Sequence, residues 1–304
     1  VIGVERPHAL LRPGIAIPFL LVALIWGSTW LVIKDQLAAA PPSWSVAYRF
    51  AIACVGMFIL AAMTHRRGFT MTFGGHVVAL AVGLTLFFIN FNFVYRAELY
   101  LTSGIVAVLF GLLMVPNAIF GRVFLGVPIT PRFLAGSLIG LAGIALLLLH
   151  ESRVASLDGR VGLGVTLTVL GILAASTANV LQASKTARKR PLLLLLAWAM
   201  LWGTLASALF ASLFAGPPVF PADLRYWAGV SYLAIVGSVI AFPLYFRLIR
   251  ELGPGRAAYN GVLVPVVAMA FSTVFEGYRW SGLAIAGGVL ALLGMVLALR
   301  AKNA

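Results

Sequence analysis

The sequence is poor in charge, and poorest in acids. Only 10% of its 304 residues are Asp, Glu, Lys or Arg, and the acids number 8. A water-soluble domain carries roughly 25% charged residues, so a soluble globular enzyme is excluded. Cysteine is nearly absent. Cys54 stands alone, which excludes a disulfide framework and any thiolate metal site. The four histidines, His8, His65, His76 and His150, show no ligand spacing. No glycine-rich phosphate loop, HExxH helix or GxSxG elbow occurs. Stretches between apolar segments are about a dozen residues or shorter, too short to hold a catalytic domain. No catalytic residue, metal or cofactor is implied.

What is there is apolar: 62% of residues are hydrophobic and the mean hydropathy is +1.05. A membrane helix needs about 20 mostly apolar residues. That length fits ten stretches: Gly14–Ile33, Trp44–Met63, His76–Tyr95, Leu99–Phe120, Phe133–Leu149, Gly162–Ser184, Leu192–Phe214, Tyr226–Phe246, Ala257–Phe275 and Trp280–Leu299. Arg6 and Arg12 before the first span, with Ala38-Ala39-Ala40 after it, mimic a signal peptide. The apolar stretch is too long for one, and Lys34-Asp35 separates it from the alanines, so a retained first span is expected.

The net charge of +14 is distributed unevenly over the segments between spans. With the N-terminus inside, inner segments hold fifteen basic residues against Glu5 and Glu251. Outer segments balance Lys34, Arg96, Arg153, Arg160, Arg225 and Arg279 against Asp35, Glu98, Glu151, Asp158, Asp223 and Glu276. Basic loops resist translocation, so an N-in, C-in chain is predicted. The positive charge therefore reports orientation rather than a nucleic-acid partner. Arg49 is the charge left inside a span.

The halves resemble each other. Ser28-Thr29 matches Ser176-Thr177 at an offset of 148, Val115-Pro116 matches Val264-Pro265 at 149, and Gly143 matches Gly294 at 151. Five spans per unit put the second unit in the membrane upside down relative to the first. Inverted repeats suit alternating access to a midplane site. The predicted fold is an all-α polytopic membrane protein of ten helices in two inverted five-helix repeats. Residues 1–13 form a cytoplasmic segment, 14–150 the first repeat, 151–160 a connecting loop and 161–300 the second repeat. Spans five and ten carry small residues (Gly136, Gly140 and Gly143; Gly282, Gly287, Gly288 and Gly294) and few polar ones. They are expected away from the pathway, as packing or homodimer-contact helices.

Trp26-Gly27-Ser28, Arg49-Phe50, Pro116, Pro265 and the glycines of spans five and ten resemble the EamA-type branch of the drug/metabolite transporter superfamily, from about Ile15 to Leu299. Glu276 matches an acidic residue common after the ninth span of that family; Val127 departs where the first repeat often has a Glu. The resemblance implies a bacterial inner-membrane exporter of small metabolites, amino acids (aromatic ones included) foremost. Export of hydrophobic drugs or toxic organic compounds is the alternative. Membrane lipid and a small-molecule substrate are the expected partners.

Polar and aromatic residues within spans are the candidates for the pathway. They are Trp26, Ser28 and Trp30 in the first span, Asn90 and Phe91 in the third, Ser176 and Asn179 in the sixth, Tyr245 in the eighth, and Tyr259 and Asn260 in the ninth. Each has a structural alternative in helix packing. Trp44, Tyr95, Trp227 and Trp280 read as interfacial belt residues. Arg49 either snorkels to the outer interface or acts in the cavity, on a substrate carboxylate or in a gate with Glu276. Pro116, Pro243 and Pro265 are candidate hinges. No span contains an acid, so a uniporter or exchanger is expected rather than a carrier coupled to a proton on the first helix.

Overall fold

A computed structural model describes residues 13–64, 69–154, 160–252, 257 and 260–299, and every regular element among them is helical. The long elements are α1 (Pro13–Gln36), α2 (Pro42–Thr64), α3 (Phe73–Ala97), α4 (Ser103–Leu125), α5 (Pro131–Val154), α6 (Val161–Ala183), α7 (Leu192–Phe214), α8 (Leu224–Glu251), α9 (Asn260–Phe275) and α10 (Gly282–Leu299). A short turn, Lys185–Arg188, joins α6 to α7. Seven of these helices are long and apolar enough to cross a membrane, and α5, α9 and α10 carry shorter apolar stretches. An apolar run can satisfy its backbone in lipid only by closing its own hydrogen bonds, which is why these runs are helical. The bundle is dressed in large apolar side chains such as Leu24, Leu209 and Leu213, all exposed, while Arg49, Asn90, Ser176, Asn179 and Ser238 are buried.

The helix packing has a pattern. α2 lies along α7, α5 along α10, and α4 along α9. α1 packs on α9 as α6 does on α4, and α1 packs on α8 as α6 does on α3. Close approach depends on glycine. A Cβ at Gly143 would overlap the backbone of Ala291 and Gly287, and one at Gly294 the backbone of Gly136 and Gly140. The glycines of α5 and α10 thus close on each other within one chain.

Three helices depart from regular winding. α3 widens into π turns over Gly83–Asn90, and α8 does so over Ile235–Ile240. α4 tightens to 3-10 geometry over Gly111–Leu113. Pro116 has no N–H to offer the Leu112 carbonyl, so the tightened turn sits where the proline leaves the ladder open. Pro243 follows the wide segment of α8, and Pro265 lies inside α9. Pro18 also lies inside a helix, α1, and joins the three prolines read from the sequence.

Two belt assignments are corrected. Tyr95 is fully buried, and its hydroxyl donates to Gln36 Oε1 at 3.2 Å. Trp44 is also buried, with its indole N–H on the Gly216 carbonyl at 3.1 Å. Both stand at the expected depth but point into the bundle, because depth along a helix does not determine which way a side chain faces. Trp280 is exposed, as a belt residue would be.

Candidate functional site

A cavity of about 120 Å³ lies among α1, α2, α3, α4, α6, α8 and α9. That is several times the ~10–15 Å³ that admits a single water, so it suits a small molecule. α1 turns one face into it, with Trp26, Thr29, Trp30 and Ile33 at helical spacing. α3 contributes Leu86, Asn90, Phe91 and Val94, and α8 contributes Phe242 and Tyr245. α5, α7 and α10 contribute no lining residue.

The walls are aromatic. The Trp26 ring lies 4.7 Å from Tyr245 and 5.3 Å from Phe242, and Trp30 lies 5.1 Å from Phe110. Trp26 is held by its indole N–H, which donates to the Gly237 carbonyl at 3.2 Å, inside the wide segment of α8. Widened turns shift backbone carbonyls out of the regular ladder, and here one anchors a cavity residue.

Arg49 enters this aromatic box from α2. It is 1% exposed, so its side chain does not snorkel to an interface. Its Nε donates to Ser238 Oγ at 3.2 Å, and the guanidinium carbon stands 4.5 Å from the Phe91 ring centre. Nη1 has no hydrogen-bond partner. Ser238 in turn donates to the Leu233 carbonyl at 2.8 Å, a bond spanning the wide turn of α8. The wide segment therefore places the hydroxyl that positions Arg49. Glu276 does not pair with Arg49. It accepts from Ser103 Oγ at 2.5 Å and from the Ser103 N–H at 3.4 Å.

The amides ring the cavity. Asn179 donates to Asn117 Oδ1 at 3.4 Å, and Asn260 donates to the Phe19 carbonyl at 2.7 Å. Asn90 and Asn260 each keep an amide oxygen unused, and Trp30 keeps its indole N–H unused. Buried polar groups normally find partners, so these are groups ready for an occupant.

The structure brings together Trp26, Trp30, Arg49, Asn90, Phe91, Asn179, Tyr245, Asn260 and Pro265. Ser28 and Ser176 are not lining residues. Ser28 shares a hydrogen bond with the Tyr232 hydroxyl at 2.6 Å, and Ser176 is buried. Pro116 and Pro243 also lie off the lining. Tyr259 lies outside the described residues. Sequence reasoning missed Phe110 and Phe242 as walls and Ser238 as the anchor of Arg49. It also missed Glu98, counted among outer loop charges but completely buried. A polar residue at helical spacing from a cavity residue, as Glu98 is from Val94, was the available signal.

A polytopic helical bundle around a buried cavity, with no metal cluster among the described residues, has the form of a membrane transporter. The EamA-like transporter family matches residues 14–149 and 162–300. The chain belongs to that family. It is 23% identical to Protein PagO of Salmonella typhimurium over 96% of this chain and 95% of the relative. It is 28% identical to the uncharacterized inner membrane transporter YedA of Escherichia coli, over 90% of this chain and 89% of that one. A probable amino-acid metabolite efflux pump of Salmonella typhimurium is also 28% identical, over 91% and 92%. A solved crystal structure 20% identical in sequence shares the fold, with a TM-score of 0.69 over 94% of this chain and 98% of its own.

Proposed function

We propose that this protein is a secondary carrier that exports small zwitterionic metabolites, amino acids foremost, across the bacterial inner membrane by alternating access. The observation that carries this reading is the buried Arg49 guanidinium, with one N–H unpaired, facing a cavity whose lining contains no carboxylate. A buried charge without a partner is costly, and a substrate carboxylate would supply the missing partner. The unused amide oxygens of Asn90 and Asn260 would accept from an ammonium group. Trp26, Trp30, Phe91 and Tyr245 would sandwich the side chain. The relatives' printed names, an inner membrane transporter and an amino-acid metabolite efflux pump, agree with this.

All ten helices cross the membrane in this reading, as two inverted repeats over residues 14–150 and 161–300, with 151–160 between them. In support, the family model matches twice, and the helix contacts keep their pattern when the halves are exchanged. The wide segments at 83–90 and 235–240 fall in corresponding helices of the two halves. Lys185, Arg188, Lys189, Arg190, Arg247 and Arg250 gather at one end of the bundle, which is the cytoplasmic one. Pro116, Pro243 and Pro265 are the bending points as the halves rock.

The test is counterflow in proteoliposomes, with a panel of labelled amino acids and, in parallel, a lipophilic dye. Saturable amino-acid exchange is expected. Arg49→Gln should weaken it about 10- to 100-fold, the loss of a charged hydrogen bond worth ~1.5–3 kcal/mol. Dye transport without amino-acid transport, unchanged by Arg49→Gln, would instead establish export of hydrophobic compounds.

A further inference from the structure

Beyond the cavity, toward the α1–α2 connection, lies a second polar layer. Lys34 follows the lining residue Trp30 by four positions on α1, and Glu98 follows Val94 by four at the end of α3. Four residues advance a helix by about 6 Å, so this pair stands immediately above the cavity. Lys34 Nζ donates to the backbone carbonyl of Glu98 and to that of Leu101 at 3.0 Å, tying α1 to the α3–α4 turn. Ser103, at the start of α4, binds Glu276 after α9. Tyr95 and Gln36 link α3 to α1. Together these contacts close the cavity at this end.

The layer contains an unexplained group. Glu98 is 0% exposed, and neither carboxyl oxygen has a hydrogen-bond partner. A carboxylate in such a place is penalised unless it is protonated or paired. Burial pushes the Glu98 carboxyl well above the ordinary carboxylate range. The Lys34 ammonium opposes this, the nearby Glu276 reinforces it, and Arg49 opposes it again. The groups facing it are therefore Lys34 from α1, Arg49 from α2, Tyr95 on its own helix and Glu276 beyond α9. Arg96 is turned away, onto Asn92 and Ser43. α4 and α6, which also adjoin this turn, contain no titratable residue near it: their first turns bring Ser103 and Gly164.

We propose that the Glu98 carboxyl is a proton-binding site linked to closure of this end of the pathway: it holds a proton when the end is shut and releases it to water when the end opens. Linkage gives the direction. Closing buries the carboxyl and so favours its neutral form, and low pH must then favour the closed end. Earlier we expected a carrier without an embedded acid; Glu98 supplies one, at the gate rather than on the first helix.

The inference rests on the reading that the pathway opens at this end, but its test needs no substrate. A cysteine is placed at Ile33, buried on the cavity wall, and labelled with a membrane-impermeant maleimide added from the Lys34 side. Rates are referred to an exposed control cysteine at Ala39, which removes the thiol's own pH dependence. Native Cys54 is buried and gives little background. The relative rate should rise at least about fivefold from about pH 5 to about pH 9, as a single titrating group demands. In Glu98→Gln it should stay at the low-pH value throughout. In Lys34→Gln, which removes an opposing cation, the midpoint should move to higher pH. Lys34→Gln carries the test alone if Glu98→Gln fails to accumulate. The same pH profile in parent and Glu98→Gln, a pH-independent parent, or an unmoved Lys34→Gln midpoint overturns the proton site. A parent cysteine that never reacts overturns the reading that this end opens.

Discussion

Arg49→Met should separate stability from transport, because the guanidinium is costly to bury and useful only when occupied. Two favourable contacts are lost. The bond from Nε to Ser238 Oγ, charge-assisted, is worth ~1.5–3 kcal/mol. The placement over the Phe91 and Phe50 rings is worth ~0.5–2 kcal/mol. Against this, burying an ion costs several kcal/mol in real proteins, and Nη1 recovers nothing from a partner. Ser238 is not orphaned, since its hydroxyl already serves the Leu233 carbonyl. The terms nearly cancel, and a methionine fills much of the volume. Thermal unfolding in detergent, at a fixed scan rate, should give a midpoint within ~3 °C of the parent or above it. Amino-acid counterflow should fall at least tenfold, which is ~1.4 kcal/mol of binding. If Arg49 were a structural keystone, its loss would cost ~3–5 kcal/mol, a drop of roughly 6–20 °C at ~2–4 °C per kcal/mol. A drop of that size, with transport falling only in proportion to folded protein, would refute the assignment.

Two further outcomes follow from the packing and the buried acid. Gly294→Leu should abolish accumulation of folded protein, since even a Cβ there meets the backbone of Gly136 and Gly140; Gly282→Ala, with open space around it, should be neutral or stabilising by up to ~1 kcal/mol, as read by unfolding midpoint and yield. The raised Glu98 carboxyl makes the closed, folded state bind a proton that the unfolded chain releases, so stability should be greatest at low pH and decline as pH rises through the shifted range; unfolding midpoints of the parent should fall between about pH 5 and about pH 8, and Glu98→Gln should flatten that decline.

The helices were legible in the sequence because a membrane imposes length and apolarity together, and runs such as Leu192–Phe214 satisfy both. The half-to-half matches at Pro116 and Pro265 could be read for the same reason: they are local and keep their order. The azimuth of side chains could not be read. Tyr95 and Trp44 lie at interface depth, yet face inward, and only contact with Gln36 and Gly216 shows it. Glu98 was counted as a loop charge because it follows the apolar run, although the turn folds it beneath Lys34. The wide turns of α3 and α8 leave no mark in a continuous apolar stretch, so the carbonyl that holds Trp26 and the hydroxyl that holds Arg49 were invisible beforehand.

The glycine contacts set different rules for sequence change. At Gly143 and Gly294 the obstacle to a side chain is the partner's main chain, which no substitution removes. Neither position can be rescued by altering a neighbour, so each is constrained independently. At Gly27 the first obstacle is the Val267 side chain, and at Gly104 the Met269 sulfur. There a gain in volume on one helix can be matched by a loss on the other. In a library of double variants, compensating pairs should therefore emerge along α1–α9 and α4–α9, and none along the α5–α10 glycines, which divides the bundle into joints that can be retuned and one that cannot.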